Sequence, residues 1–190
     1  MYRDNTLVPT EAVRLLALGL LATRSRCYGD LAAEVRHFTG RLVGPSLDLV
    51  GAPLEVLKVE GLIAPRDPPS DSNHHGADDK TPLVITAAGR SELLRLLSSN
   101  FRAPVNEFNK LIIALKLRFL HVLPSDEQSL QAEMLVEISE RELARLSDLQ
   151  TQEATENNHF TLWLDHEIAQ VRERLAWYQG LKDRLTAQAP

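Results

Sequence analysis

Three features of this 190-residue sequence predict a mostly α-helical chain with one small β-hairpin. Residues 51–90 read as a short helix ending in Val59-Glu60-Gly61-Leu62-Ile63, a polar insert, and then Leu83-Val84-Ile85-Thr86-Ala87-Ala88-Gly89-Arg90. Two shorter helical patterns precede that stretch. After Asn100 apolar residues recur at steps of three and four over long spans, the mark of amphipathic helices. Helices followed by a hairpin and another helix outline a winged helix-turn-helix, a module that places one helix in the DNA major groove. The predicted class is mostly α: an N-terminal winged helix-turn-helix with a small β-hairpin wing over residues 1–98, then a C-terminal bundle of long helices over 99–190, used for dimerisation.

Each element has a local reason. Val8-Pro9-Thr10-Glu11 starts the first helix, with Thr10 as expected N-cap and Val13, Leu16, Ala17, Leu20 and Leu21 on one face. The second helix begins near Gly29-Asp30 and is expected to stop at Thr39-Gly40. Pro53 lacks a backbone donor, so the third helix is expected from about Ala52 to Glu60, with Leu47 to Val50 a separate turn. Gly61 supplies the left-handed conformation that stops it, Leu62-Ile63 and Leu83 to Ile85 form the hairpin, and Thr86 caps the next helix. Between Pro65 and Pro82 nothing larger than Ala except two prolines is apolar, which suits a solvated wing tip.

In the second half Pro104 is expected in a first helical turn. Val105, Phe108, Ile112, Leu115, Phe119 and Val122 then form one seam, which Pro124 ends. Ser125-Asp126-Glu127-Gln128 reads as a capping box, Asn157-Asn158 as a break, and Leu164, Ile168, Val171, Leu175, Tyr178 and Leu185 as a second seam with Gly180 its weak point. These seams call for more partner surface than a small winged domain offers, so antiparallel association between chains is expected.

Composition narrows the function. A hydrophobic content of 44% suffices for a core. No apolar window spans a membrane, and the N-terminus lacks the order of a secretory signal, so the expected location is cytoplasmic. The single cysteine, Cys27, forms no intrachain disulfide and reads as a small buried hydrophobe. The net charge of -5 opposes phosphate binding, but the imbalance is uneven: 11 Lys and Arg against 12 Asp and Glu through Leu97, and 10 against 14 beyond it.

No catalytic constellation is visible. His166-Glu167-Ile168-Ala169-Gln170 approaches the zinc-protease pattern but has Gln where a second imidazole must share the helix face. Gly44-Pro45-Ser46-Leu47-Asp48 lacks the second glycine of a nucleophile elbow, and His74-His75 has no third ligand at useful spacing. No metal, cofactor or enzymatic activity is expected.

Four motifs resemble the PadR family of transcriptional regulators: Thr10-Glu11-Ala12, Tyr28-Gly29-Asp30-Leu31, Leu54-x-x-Leu57-x-x-x-Gly61-Leu62, and Thr86-x-x-Gly89-Arg90. The resemblance extends to total length and to a helical second half. The chain departs from the family's pattern by one residue at Tyr28-Gly29-Asp30-Leu31, by Gly51 where a tyrosine is usual, and by Pro53. The resemblance implies a ligand-responsive repressor that binds double-stranded DNA as a homodimer. Arg41, Ser46, Ala52, Glu55, Lys58, Arg66 and Lys80 are its candidate DNA contacts, and a small aromatic effector is expected near Trp163 or Trp177. A winged-helix protein-interaction or dimerisation module without DNA binding is the alternative.

Overall fold

A computed structural model describes residues 6–43, 54–66, 81–104, 106–153 and 159–188. Among them run α1 (Pro9–Thr23), α2 (Tyr28–Val43), α3 (Leu54–Val59), β1 (Ile63–Pro65), β2 (Leu83–Ile85), α4 (Ala87–Leu97), α5 (Glu107–Phe119), α6 (Ser125–Glu153) and α7 (His159–Gln188), with a single 3-10 turn at Leu120–Val122. The predicted class, mostly α with one small antiparallel hairpin, is the one observed. By packing the chain forms two compact units, Met1–Ser99 with Pro104–Val122, and Asn100–Ala103 with Leu123–Pro190.

In the first unit α1 is the central element. Leu15, Leu16, Ala17 and Leu18 are all buried, because α2, α4, α5 and β2 surround the helix. The N-cap is Val8 rather than Thr10: Pro9 takes the first helical position, where its fixed φ suits the turn, and the Glu11 carboxylate accepts from the Val8 N–H at 3.0 Å. Gly19 lets α5 approach closely, since an ideal Cβ there would lie 2.6 Å from the Phe119 ring.

α2 continues beyond the expected stop. Thr39 hydrogen-bonds back to the Val35 carbonyl at 2.9 Å, and Gly40 is carried as an exposed interior residue. The turn expected at Leu47 to Val50 lies outside the described residues, as do Asn157-Asn158, between the last residue of α6 and the first of α7.

β1 and β2 pair antiparallel, Ile63 with Ile85, Ala64 with Val84 and Pro65 with Leu83. Arg26 adds an isolated bridge on the far side of Leu83, its N–H and C=O both bonded to that residue. The hairpin is thereby pinned to the connection between α1 and α2.

α5 begins later than expected. Asn106, not the turn at Pro104, caps it by accepting from the Asn109 N–H at 2.8 Å. Its buried Leu111, Ile112, Leu115 and Phe119 belong to a helix that packs on α1 and α2. Val105 lies outside the described residues.

In the second unit α6 and α7 run antiparallel. Glu133 pairs with Lys182, Glu142 with Arg174 and Gln150 with Asp165, at 2.8, 2.5 and 2.5 Å. Leu146, Leu164, Ile168 and Val171 form the core between the two helices. The seam from Leu164 is thus covered by α6 and the α5 seam by α1 and α2, so the inference that both require a second chain is corrected. An apolar stripe announces that it will be buried and not by what. The capping box at Ser125 is also replaced. Pro124 precedes the helix and has no N–H to offer, so the Gln128 side chain donates to the Leu123 carbonyl at 2.7 Å.

One polar group in the first unit is unusual. Lys116 on α5 is 1% exposed, and its ammonium donates to the Ser99 carbonyl just beyond α4. Desolvation lowers its pKa from 10.5 to about 7. Elsewhere in the unit Glu34 pairs with Arg26 and Arg118, and Glu92 with Arg14 and Arg95.

Because the unfolded chain takes up this proton near 10.5 and the folded chain near 7, protons favour unfolding between the two values. The cost of the buried charge is full below pH 7 and fades as pH rises. Chemical denaturation from pH 6 to 10 should therefore show the wild type gaining on Lys116→Met by roughly a few kcal/mol. Parallel pH curves for the two proteins would show that the amine titrates alike in both states.

Candidate nucleic-acid interface

α3 is held from behind by two leucines and stopped by its own sequence. Leu54 and Leu57 are buried. At the C-terminal end the Leu62 N–H reaches the Leu57 carbonyl at 2.9 Å and the Gly61 N–H reaches the Lys58 carbonyl at 3.0 Å, a Schellman closure that requires the positive φ of Gly61, 69°. Leu62 is buried as the chain turns into β1.

Thr86 completes the joint. Its hydroxyl donates to the Gly61 carbonyl at 2.7 Å and accepts from the Gly89 N–H at 3.0 Å, while its own N–H donates to the Leu62 carbonyl at 3.0 Å. A Cβ on Gly89 would collide with that carbonyl oxygen, so only glycine lets α4 sit this close.

The orientation of α3 follows. Positions 54 and 57 face the core, so the helical period puts Glu55, Val56 and Val59 on the outer face, and all three are exposed. Val56 and Val59 were missed as surface residues because apolar identity alone suggests core. Their offset from Leu54 and Leu57 was the signal that could have found them.

Lys58 lies toward α2, half-buried, with its ammonium 5.0 Å from the centre of the Tyr28 ring. Glu60 is turned toward α1, where Arg14 pairs with it at 2.8 Å and with Glu92 at 3.2 Å. Arg95 joins Glu92 to Glu11 in the same network, at 2.7 and 2.9 Å. The hydrogen bond from Arg95, with further help from Arg14, holds the Glu92 carboxyl below the usual range against the effect of burial.

The other candidates are scattered. Arg41 is exposed in the last turn of α2, and Arg66 is exposed just after β1, its N–H bonded to the Pro82 carbonyl at 2.7 Å. Ser46, Ala52 and Lys80 lie outside the described residues, as do His74 and His75. Arg24 and Arg36 are exposed as well.

Arg26, by contrast, is buried. It donates to the carbonyls of Leu20 and Arg24, capping α1, and pairs with Glu34 at 2.8 Å, so its charge is spent on the fold. Cys27 is half-buried rather than buried.

On α7, Trp163 and Trp177 are 50% and 51% exposed. Trp163 stacks on Phe160, and Trp177 meets Tyr178 edge to face, each pair at 5.5 Å. Gln170 hydrogen-bonds His166 at 2.7 Å, which occupies the imidazole that the zinc-like motif would have used.

The family model described as "Putative AphA-like transcriptional regulator" matches residues 2–182. The chain belongs to that family. It is a transcriptional regulator rather than an enzyme. None of the curated proteins matches it.

Among solved structures, it is similar to Bacillus subtilis PadR in complex with p-coumaric acid, at 17% identity and a TM-score of 0.37 over 95% of this chain and 99% of that one. The same PadR in complex with operator DNA is similar at 18% and 0.36, over 91% and 97%. The smu.1604c protein of Streptococcus mutans UA159 is similar at 18% and 0.34, over 92% and 96%.

Two glycine substitutions test the joint as a pair. Gly89→Ala should destabilise the protein by about 2–4 kcal/mol, because backbone must move to admit the methyl. Gly40→Ala, in a helix interior with open space around the new Cβ, should stabilise by about 0.5–1 kcal/mol. Urea denaturation reads both, and equal effects would contradict the close approach at Gly89.

Proposed function

We propose that this regulator binds operator DNA as a homodimer, that it acts as a repressor, and that a small aromatic ligand releases it. The observation that carries the reading is the presentation of α3. In a chain of a transcriptional-regulator family, this helix is fixed by a leucine pair, a glycine stop and the Thr86 joint, and its opposite face is left to solvent. A helix so held enters a major groove without further ordering of its backbone.

Glu55, Lys58, Ser46 and Ala52 belong to the groove-facing segment in this reading. Arg41 and the wing residues Arg66 and Lys80 supply phosphate contacts. Residues 1–98 then form the DNA-binding part and 99–190 the dimerisation part. No described helix is long and apolar enough to cross a membrane, and regulation of transcription assigns the protein to the cytoplasm.

The dimer reading rests on what α7 leaves uncovered. One stripe packs on α6, whereas Phe160, Leu162, Trp163 and Trp177 remain exposed, an unusual set of large apolar groups for one surface helix. A second copy covers them in the proposed assembly, and Trp163 or Trp177 lines the effector site. The outer face of α3 favours the alternative, an interaction module without DNA binding, because it holds Glu55 and no basic residue.

Two measurements test this reading, the second of which separates it from the alternative. Light scattering should give a dimer down to micromolar concentration, and a monomer there would remove the assembly. Binding to duplexes from the protein's own upstream region should weaken steeply from low to moderate salt, with Lys58→Glu costing at least about tenfold. Affinity equal to that for random duplex would leave the interaction module in place.

A further inference from the structure

The chemistry of α3's outer face limits which bases it can read. Among the described residues of this helix there is no Arg, Asn or Gln, the side chains that bond two atoms of a guanine or adenine edge at once. Lys58 is drawn toward Tyr28 and Glu60 toward Arg14.

The outward groups that remain are Glu55 and two valines one turn apart, Val56 at 39% exposure and Val59 at 87%. Val59 is the most exposed of the large hydrophobics among the described residues. A β-branched residue is a poor choice for an exposed helical position on both propensity and hydration grounds, and nothing among the described residues explains it.

We propose that Val59, supported by Val56, reads thymine through its C5-methyl group. The thymine methyl is the one apolar feature that normal bases show in the major groove, and an aliphatic side chain recognises it by excluding water from both. Glu55 on the same face repels phosphate and accepts from the amino group of a neighbouring cytosine, which orients the pair of valines toward a pyrimidine-rich strand. The assignment rests on the entry of α3 into the groove argued above.

Replacing thymine by deoxyuridine tests it, since this removes the methyl and leaves pairing intact. Full-length protein is first used to select its preferred duplex from a random pool, and each thymine of that site is then replaced in turn. At one or two positions deoxyuridine should weaken binding roughly fourfold, as expected for one methyl group no longer buried. Val59→Ser, at a position too exposed to disturb folding, should bind the thymine and deoxyuridine duplexes equally at those positions while keeping the wild-type salt dependence.

Enrichment of a site at which no thymine can be distinguished from deoxyuridine would overturn the inference and leave DNA binding intact. Discrimination fully retained by Val59→Ser would do the same. Enrichment of no sequence at all would overturn it together with the DNA-binding reading beneath it.

Discussion

The first unit depends on one crowded junction, where the hydroxyl of Thr86 and the carbonyl of Leu62 bring the end of α3, the start of the hairpin and the first turn of α4 together. Three backbone groups that would otherwise be left without partners are satisfied there by one side chain and its own N–H. Gly61 allows the chain to reverse, and Gly89 allows α4 to come close enough for the bonds to form. The axial rotation of α3 is a consequence, because a helix of six residues with both ends of its buried face anchored has no freedom to roll. The identity of the residues on its outer face is therefore a property of the junction as much as of the helix.

Several charges of the first unit are taken up by the fold itself. Arg26 is absorbed by the α1 terminus and Glu34, Arg14 and Arg95 by three carboxylates, and Arg118 by Glu34 and the Phe38 ring, 4.6 Å away. In the first unit Arg24, Arg36, Arg41 and Arg66 are exposed. Attraction to phosphate in a chain of net charge -5 would then come from a few scattered arginines, while α3 itself contributes shape and apolar contact.

Much of this was legible before the structure. Gly61, Thr86 and the largely β-branched apolar run at Leu83 to Ile85 act within a few residues, so sequence alone placed the stop, the cap and the second strand. Caps were misjudged where neighbouring residues compete for the role: Pro9 displaces Thr10, Asn106 takes the role expected near Pro104, and Pro124 denies the Ser125 box its donor. Thr39-Gly40 failed as a stop because a hydroxyl bonded to its own helix is at home inside one.

What sequence could not supply was the partner of each apolar stripe. The seams of α5 and α7 look alike, yet one is covered by α1 and α2 and the other by α6. The pairing of Arg26 with Glu34 and its bridge to Leu83 join separate parts of the chain and are likewise not written in the residues beside it.

The central claim is that the face of α3 set by the junction is the surface this regulator turns toward DNA. The most direct measurement is a map of amide chemical shifts in the isotopically labelled full-length protein as its selected duplex is added. The account predicts that the largest changes fall on Glu55 to Val59 and on Arg66 beyond the hairpin's first strand. Changes confined to α6 and α7, with the amides of α3 unmoved at saturation, would contradict it.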